Sequence, residues 1–545
     1  MTHLKARPLI AIIALSIVAF FPLLGTVPLF DWDEINFAEI AREMIVTKNY
    51  AQVQIDFQPF YEKPPLFFWL QVLSMKLWGI NEFAARFPNA LFGILTLVTL
   101  YWIGSKYQAN KKLGILWVLM HSSALLPHFY FKTGIIDPVF NYFIFLGIYS
   151  LTRLVGVSTA KKSNDWALFG GIAIGLAILT KGPVALLIPG ITCVVYWLIN
   201  SCKPLLAWSG LCIFCLTALL IPMFWMGYET YQHGMAFIQA FFHYQVELFM
   251  QPVAGHAQPF YYHFLVVLVG CFPASILALG SLFQGKSSDE SVFFSFMQIL
   301  FWVVMLLFSL VTTKIMHYSS IAYFPITFLA AHYLYHIEQK RSKPSRIMLL
   351  TFLLVGIVVS ILLSVISMIG IFKGYIARSL ADNFASAILA MPVAWSLIDC
   401  LVGISYLILV IVAYMLFKKM AIMHFAKLCS LATILCLHLG TLLIVPKVEA
   451  HIQGPAIQFY QQLQGQEAYV ATIGFKSYAL LFYFQQPNDQ QFKRSNSHWL
   501  LTGRIDKPAY FVVKITDKAL LDQLPDIKLL KIAGGFAFYK RAKVL

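Results

Sequence analysis

Membrane-length apolar runs recur along this chain, and they leave few folds open to it. A bilayer is spanned by about twenty consecutive apolar residues, and candidate runs fall at 9–30, 87–104, 113–131, 138–154, 166–179, 183–199, 205–226, 260–283, 292–311, 319–337, 347–372, 395–417 and 428–445. That reading gives about thirteen spans. With 59% hydrophobic and 12% charged residues in a chain of 545, polar surface is too scarce to coat a soluble globule of this size. The expected fold class is mostly α, a polytopic integral membrane protein.

Orientation follows from the loops, because basic residues near span ends are retained on the cytoplasmic side. If the N-terminus is cytoplasmic, alternate loops carry Lys5 and Arg7, then Lys106, Lys111 and Lys112, then Arg153, Lys161 and Lys162, then Lys203, Lys286, the run Lys340 to Arg346, and Lys418, Lys419 and Lys427. No parity error interrupts the series. The opposite side receives 31–86, 132–137, Lys181, 227–259, 314–318, 373–394 and everything after Val445. The expected organisation is a membrane domain over 1–446, with interfacial helices in the outer loop 31–86 and a further outer loop at 227–259, followed by an exported domain over 447–545. No signal-peptide cleavage site is evident after 9–30, which is read as a retained span.

The net charge of +16 is spread over inner loops, a pattern that suits anionic lipid headgroups and gives no continuous face for nucleic acid. The eight cysteines lie in or beside apolar runs and none lies in the tail. The exported domain is therefore expected to hold together by packing, without disulfides. Short β-rich runs at 469–473 and 510–515, and a glycine pair at Gly534 and Gly535 before Phe536 to Tyr539, predict a small α/β domain of about a hundred residues.

The first outer loop has helical periodicity. Phe37, Ile40, Ala41, Met44 and Ile45 share one face while Glu39, Arg42, Glu43 and Lys48 take the other, which predicts a helix lying in the membrane interface with Asp33 at its N-cap. A second helix over 66–78 has Pro64-Pro65 before it and Gly79 after it. The Glu62-Lys63 turn sits between the two.

Chemistry is expected where charged residues collect on this outer side. Asp31, Asp33 and Glu34 crowd more acid than one helix cap requires, and carboxylates at a membrane mouth need water, a cation or a reacting group. Glu62-Lys63 is made rigid by the prolines that follow, so Lys63 suits a phosphate and Glu62 a metal or hydroxyl. Asp137 precedes Pro138 and could simply start a helix; Lys181 could snorkel; Tyr318 could be an interfacial anchor. Taken together, Lys63, Lys181 and Lys314 with several acids on one side suit a phosphate-bearing substrate better than anchoring. The outer-side histidines, including His243, His256, His263 and His317, show no metal-binding spacing and read as structural.

The ordered motifs carry a resemblance. Asp33-Glu34-Ile35-Asn36-Phe37-Ala38-Glu39-Ile40-Ala41-Arg42-Glu43-Met44, Tyr61-Glu62-Lys63-Pro64-Pro65-Leu66, Asp137-Pro138, Thr180-Lys181-Gly182, the stretch His256 to Tyr262, and Lys314 to Tyr318 resemble bacterial GT-C glycosyltransferases. Within that class they are most similar to the lipid A aminoarabinose transferases and their protein mannosyltransferase relatives. The resemblance covers the chain to about Pro325. It implies thirteen transmembrane helices, a periplasmic C-terminal domain, an undecaprenyl-phosphate-linked sugar donor, lipid A or another glycan, lipid or protein as acceptor, and inversion at the sugar carbon. Asp33 would be the catalytic carboxylate, with Asp137 lining the site. Lys63, Lys181, Tyr318 and Lys314 would surround the donor phosphate. Glu62 would help a divalent metal such as Zn, Mg or Mn, with Tyr61 and His256 nearby. Two positions depart from the pattern: Asn36-Phe37 stands where Arg-Tyr is usual, which removes a bidentate phosphate contact, and the metal-binding histidine falls at Gln245, with His243 two residues earlier. A transporter is the rival reading, but such folds show related halves with paired broken helices, and this chain has one heavily decorated outer loop.

Overall fold

A computed structural model describes residues 2–107, 110–155, 160–200, 202, 207–250, 258–284, 291–488 and 496–544. In chain order the membrane region contains α1 (Thr2–Phe20), α2 (Asp33–Thr47), a small hairpin of β1 (Gln54–Ile55) and β2 (Gln58–Pro59), α3 (Leu66–Trp78), α4 (Glu82–Tyr107), α5 (Lys111–Ser123), α6 (Leu125–Tyr130), α7 (Asp137–Leu154), α8 (Ala160–Lys181), α9 (Val184–Ile199), α10 (Trp208–His233), α11 (Met235–Met250), α12 (Tyr262–Gly270), α13 (Ala274–Leu282), α14 (Val292–Leu310), α15 (Tyr323–Gln339) and α16 (Arg346–Ile371). It continues through α17 (Lys373–Ser379), α18 (Asn383–Leu389), α19 (Leu401–Lys418) and α20 (Ile422–Leu443). Every apolar run read from the sequence lands on one of these helices or on a consecutive pair.

Among the described residues, seven helices are long and apolar enough to cross a membrane, or eight when α12 and α13, bent by 112°, count as one broken span. The remaining runs form shorter helices, such as α9 and α15. The bend falls at Cys271 to Pro273, where proline ends one helix and opens the next. Along α16 the residues Ile347, Leu350, Leu354 and Ile361 are exposed, an apolar surface that only lipid can cover. This is a multi-pass integral membrane protein.

Two expectations change. The stretch 227–259 was expected as a loop, yet α10 continues to His233 and α11 runs to Met250. Helix α2 was expected to rest in the interface with its polar face in water, but Glu34 to Met44 are buried throughout. Its charges are neutralised internally: Arg42 makes a bidentate pair with Glu39 at 2.7 and 2.6 Å and donates to the Gln486 carbonyl at 3.1 Å. Glu43 accepts from the Phe57 amide, and burial beside Glu39 raises its pKa, keeping it protonated.

After α20 come α21 (Val445–Ile452), α22 (Gly454–Leu463) and α23 (Ala479–Phe484), with β3 (Tyr469–Ile473), β4 (Ala509–Lys514), β5 (Ile527–Ala533) and β6 (Phe536–Arg541). They build a four-stranded sheet in the order β3-β4-β6-β5, parallel only between β3 and β4. Gly534 and Gly535 have φ of +59° and +77°, the left-handed conformation that a tight β5–β6 hairpin requires. Alternation along the strands sends Val470, Tyr510, Val512 and Phe538 into the core shared with the membrane helices, while Tyr469, Ala471, Phe511 and Tyr539 pack against Leu500, Ile505 and Leu521. Three hydrogen bonds dock this sheet domain on the first outer loop: Tyr483 hydroxyl with the Leu29 amide at 2.8 Å, Gln453 with the Leu29 carbonyl at 2.8 Å, and Arg42 with Gln486.

Helices α8 and α10 touch through Gly170 and Gly171, where an added Cβ would strike the Ser150 and Thr217 side chains and lie 2.6 Å from the Phe214 carbonyl. Since α8 ends at Lys181, its seating also sets that ammonium. Gly171→Val is expected to destabilise the protein by about 1–3 kcal/mol, read as a lower unfolding temperature in detergent. An unchanged midpoint would mean that the two helices separate freely.

Candidate active site

The site is built around an arginine that never touches it. Arg86, on α4 and 1% exposed, donates to the carbonyls of Leu24, Val27 and Pro28 at 2.7–2.8 Å and pairs with both oxygens of Glu34 at 2.8 Å. Glu34 also accepts from the amides of Phe30 and Gly134 at 2.6 and 2.5 Å. These bonds fix three backbone segments: the one entering α2, α2 itself, and the one leading to Asp137. Glu34 therefore has no capacity left for a substrate, and its expected partnership with Asp31 and Asp33 does not form.

Asp33 is the first residue of α2, whose N-cap is Trp32, so it does not cap the helix as expected. Its side chain keeps 37% of its surface open and lies 3.7 Å from His317 Nε2. The helix N-terminus favours its negative charge. Asp31 next door has its pKa raised by desolvation and by repulsion from Asp33, though its side chain still reaches solvent.

Asp137 opens α7 and is buried. One of its oxygens meets Lys181 Nζ at 2.6 Å and the other lies 3.8 Å from His317 Nε2. Lys181 closes α8, and its ammonium stands 5.0 Å from the Tyr318 ring centre and 5.5 Å from that of Phe140. His317, whose side chain is 14% exposed, comes from the 3-10 turn Met316–Ala322. Burial lowers its pKa despite Asp137 and Asp33, so the ring is neutral near pH 7 and its two carboxylate contacts are polar rather than ionic. His317, a lone histidine without metal-binding spacing, reads from the sequence as structural, and the structure places it between Asp33 and Asp137.

Lys63 enters from the turn before α3. Its ammonium lies 4.8 Å from the Tyr244 ring centre, and among the described residues no carboxylate stands within ion-pair distance. Burial lowers its pKa, partly offset by Glu62, Asp33 and Asp137 and reinforced by Lys181. Tyr244, which the sequence pattern reads as part of an interfacial aromatic belt, is hydrogen-bonded to the Glu62 side chain. Loops from four parts of the chain thus bring Asp33, Lys63, Asp137, Lys181, His317 and Tyr318 together.

Other expected members stand apart. Lys314 is buried and donates to the Val311 carbonyl at 2.7 Å, capping the end of α14 as cations do at helix C-termini. Tyr61 packs against Phe237 at 5.3 Å and His233 at 6.4 Å. His256 lies outside the described residues. His243 is exposed, and Gln245 uses its amide on the Glu62 carbonyl at 3.4 Å. Among the described residues no three His, Cys, Asp or Glu side chains gather to hold a metal. The ligand set expected around Glu62 is therefore not assembled, and no chemical step is assigned to a metal.

Glu449 lies beneath the Glu34–Arg86 pair. It is buried with one carboxylate oxygen unpartnered, and burial, with smaller contributions from Glu34 and Asp31, raises its pKa to about 7. A raised acid binds its proton more tightly folded than unfolded, so its contribution to stability is full below the unfolded pKa and is lost as pH rises through 7. Glu449→Gln is expected to raise the unfolding temperature at pH 8.5, by up to about 3 kcal/mol of stability, and by clearly less at pH 6. An equal effect at both pH values would rule out this titration.

Comparison with known proteins extends the picture. Residues 62–226 match the family described as dolichyl-phosphate-mannose-protein mannosyltransferase. Among curated relatives, an undecaprenyl phosphate-alpha-4-amino-4-deoxy-L-arabinose arabinosyl transferase of Edwardsiella ictaluri is 28% identical over 333 residues, 60% of this chain and 59% of its own length. The enzyme of the same name from Yersinia pestis is 26% identical over 384 residues, 68% of each chain. In the first relatives, then, the match spans about three fifths of their length (59% and 60%). The crystal structure of ArnT from Cupriavidus metallidurans bound to undecaprenyl phosphate superposes with a TM-score of 0.77 at 17% identity, covering 98% of both chains, and its apo form does the same. The chain has the GT-C membrane fold, and residues 62–226 are similar to the mannosyltransferase family.

Proposed function

We propose that this GT-C membrane protein transfers a sugar from an undecaprenyl-phosphate carrier to lipid A at the periplasmic face of the bacterial inner membrane. The sugar is an amino sugar such as 4-amino-4-deoxy-L-arabinose, transferred with inversion. The observation that carries this reading is Lys63: a half-buried cation whose pKa burial lowers, without an ion-pair partner among the described residues, and near enough to Lys181 and Asp33 to feel their charges. A cation partly withdrawn from water and not paired favours a ligand of opposite sign, and a lipid phosphate is such a ligand. The names of the relatives and the fold shared with a structure holding undecaprenyl phosphate agree.

In the reaction the bond between the sugar carbon and the carrier phosphate breaks while an acceptor oxygen attacks from the opposite face. Lys63 and Lys181 meet the charge growing on the departing phosphate, which is the largest contribution preplaced groups can make. Asp137 holds Lys181 in position. Asp33 takes the proton of an acceptor hydroxyl. Should the acceptor oxygen belong to a phosphate monoester, already ionised near neutral pH, Asp33 instead stabilises the positive charge developing on the sugar ring. His317, with Nε2 3.7 Å from Asp33 and 3.8 Å from Asp137, sits between the two acids as a neutral spacer.

A protein or other glycan acceptor is the second reading, favoured by the match of 62–226 to a protein mannosyltransferase family. Mass spectrometry of lipid A and of exported glycoproteins, from cells with and without the chain, separates the two. Asp33→Asn is expected to cut transfer by about 10²–10⁴-fold while undecaprenyl phosphate still binds; an active variant would remove Asp33 from its role. For Lys63→Ala the donor KM should rise, and an unchanged value in a donor titration would count against phosphate binding there.

A further inference from the structure

The rim of the site carries aromatic and basic groups that the reaction described above does not use. Trp32 stands between Asp31 and Asp33 and is 45% exposed, a large apolar area to leave open beside the reacting carboxylate. The C-terminal domain reaches it through the loop after β3. There Tyr478 packs edge-on against the indole at 5.0 Å, and the exposed Lys476 ammonium lies 4.8 Å from the Tyr478 ring centre and 5.9 Å from that of Trp32. Farther along the same ledge, Lys514 lies 5.8 Å from the ring centre of Phe475 and 5.1 Å from that of Phe384 on α18.

The ledge is fixed relative to Asp33. Leu29 is held from both its amide and its carbonyl by Tyr483 and Gln453, and Arg42 on α2 is tied to Gln486. Domain and catalytic loop therefore present one surface. Its chemistry is particular: an open aromatic face suits the apolar face of a sugar ring, and a lysine beside it suits a phosphate as a point charge. The mouth itself is acidic through Asp31 and Asp33, so an anionic acceptor needs a cation at the rim to approach.

We propose that Trp32, Tyr478 and Lys476 form the acceptor subsite, with the sugar of a phosphorylated glycolipid lying on Trp32 and its phosphate on Lys476. The inference rests on the glycosyltransferase reading and gives the C-terminal domain a direct part in choosing the acceptor. Donor binding, at Lys63 and Lys181, is independent of it.

The test uses the full-length protein in lipid nanodiscs, with initial rates measured while acceptor and donor are varied separately. Lys476→Glu should raise the acceptor KM about tenfold or more and leave the donor KM within twofold; Lys476→Arg should restore most of it. An acceptor that keeps its reacting oxygen but lacks the phosphate assigned to Lys476 should show a wild-type KM raised to a similar extent, with little further effect of K476E. If the wild type transfers sugar and K476E has an unaltered acceptor KM, the subsite is wrong and the enzymatic reading stands. Equal rises in donor and acceptor KM would also overturn it, pointing to a shared structural effect. So would an effect of K476E that vanishes when anionic phospholipid is left out of the nanodiscs, since Lys476 would then serve the bulk membrane surface. A wild type that transfers to no phosphorylated glycolipid overturns the subsite and the proposed function together.

Discussion

The buried pair of Arg86 and Glu34 is the interaction on which the active-site side of this protein depends. Burying two charges costs several kcal/mol unless their remaining hydrogen-bonding capacity is met, and here the guanidinium is met by three carbonyls and the carboxylate by two amides. Each of those partners belongs to a segment without regular structure of its own. The pair thus does for the loop between α1 and α2 what a sheet or helix ladder does elsewhere. It places Asp33 one residue from Glu34, and it holds Gly134 on the segment that ends at Asp137. The geometry of the candidate site is set by a contact whose own hydrogen-bonding capacity is already filled.

A second layer of order comes from the C-terminal domain. The packing of α2 is unusual for an outer-loop helix, because both its apolar and its charged faces are covered. Arg42 pairs with Glu39 and donates to the Gln486 carbonyl, while Glu43, kept protonated, accepts from the Phe57 amide, so the helix loses water on its polar side without leaving unpaired charge. A periodicity argument cannot foresee this. The sequence of α2 has the amphipathic pattern of an interfacial helix, and only the arrival of a domain more than four hundred residues later turns its polar face inward.

Much of the membrane architecture was legible because the hydrocarbon core imposes length and composition on each span, and those are local properties. The strands 469–473 and 509–514 and the Gly534-Gly535 hairpin were legible for the same reason: alternation and turn chemistry are short-range. Asp33, Lys63, Asp137 and Lys181 could be read because charge at the ends of apolar runs is rare enough to be noticed. Sequence alone left capping and snorkelling open for them; the structure shows that Asp33 is not the N-cap of α2 and that Lys181 pairs with Asp137. The same reasoning failed for Lys314, a lysine equal to the others in sequence, whose ammonium closes the end of α14. It also read His317 as structural, since a lone histidine carries no spacing signal and acquires meaning only between two carboxylates.

Charge balance explains why this set of residues is stable without a substrate and still suited to one. Lys181 and Asp137 form a close pair, each largely neutralising the other at 2.6 Å. His317 is neutral, so it separates Asp33 from Asp137 without adding charge. What remains is Asp33, partly open to water, and Lys63, which burial makes less willing to stay protonated. In the proposed reaction an incoming phosphate would reverse that strain, its negative charge favouring the ammonium form of Lys63 and competing with Asp137 for Lys181. Loosening the Asp137–Lys181 pair would free Asp137 to draw closer to His317, which is then better able to hold a proton. On the proposed function, the electrostatics near Asp33 would respond to whether a phosphate sits at Lys63 and Lys181, through contacts no longer than 3.8 Å.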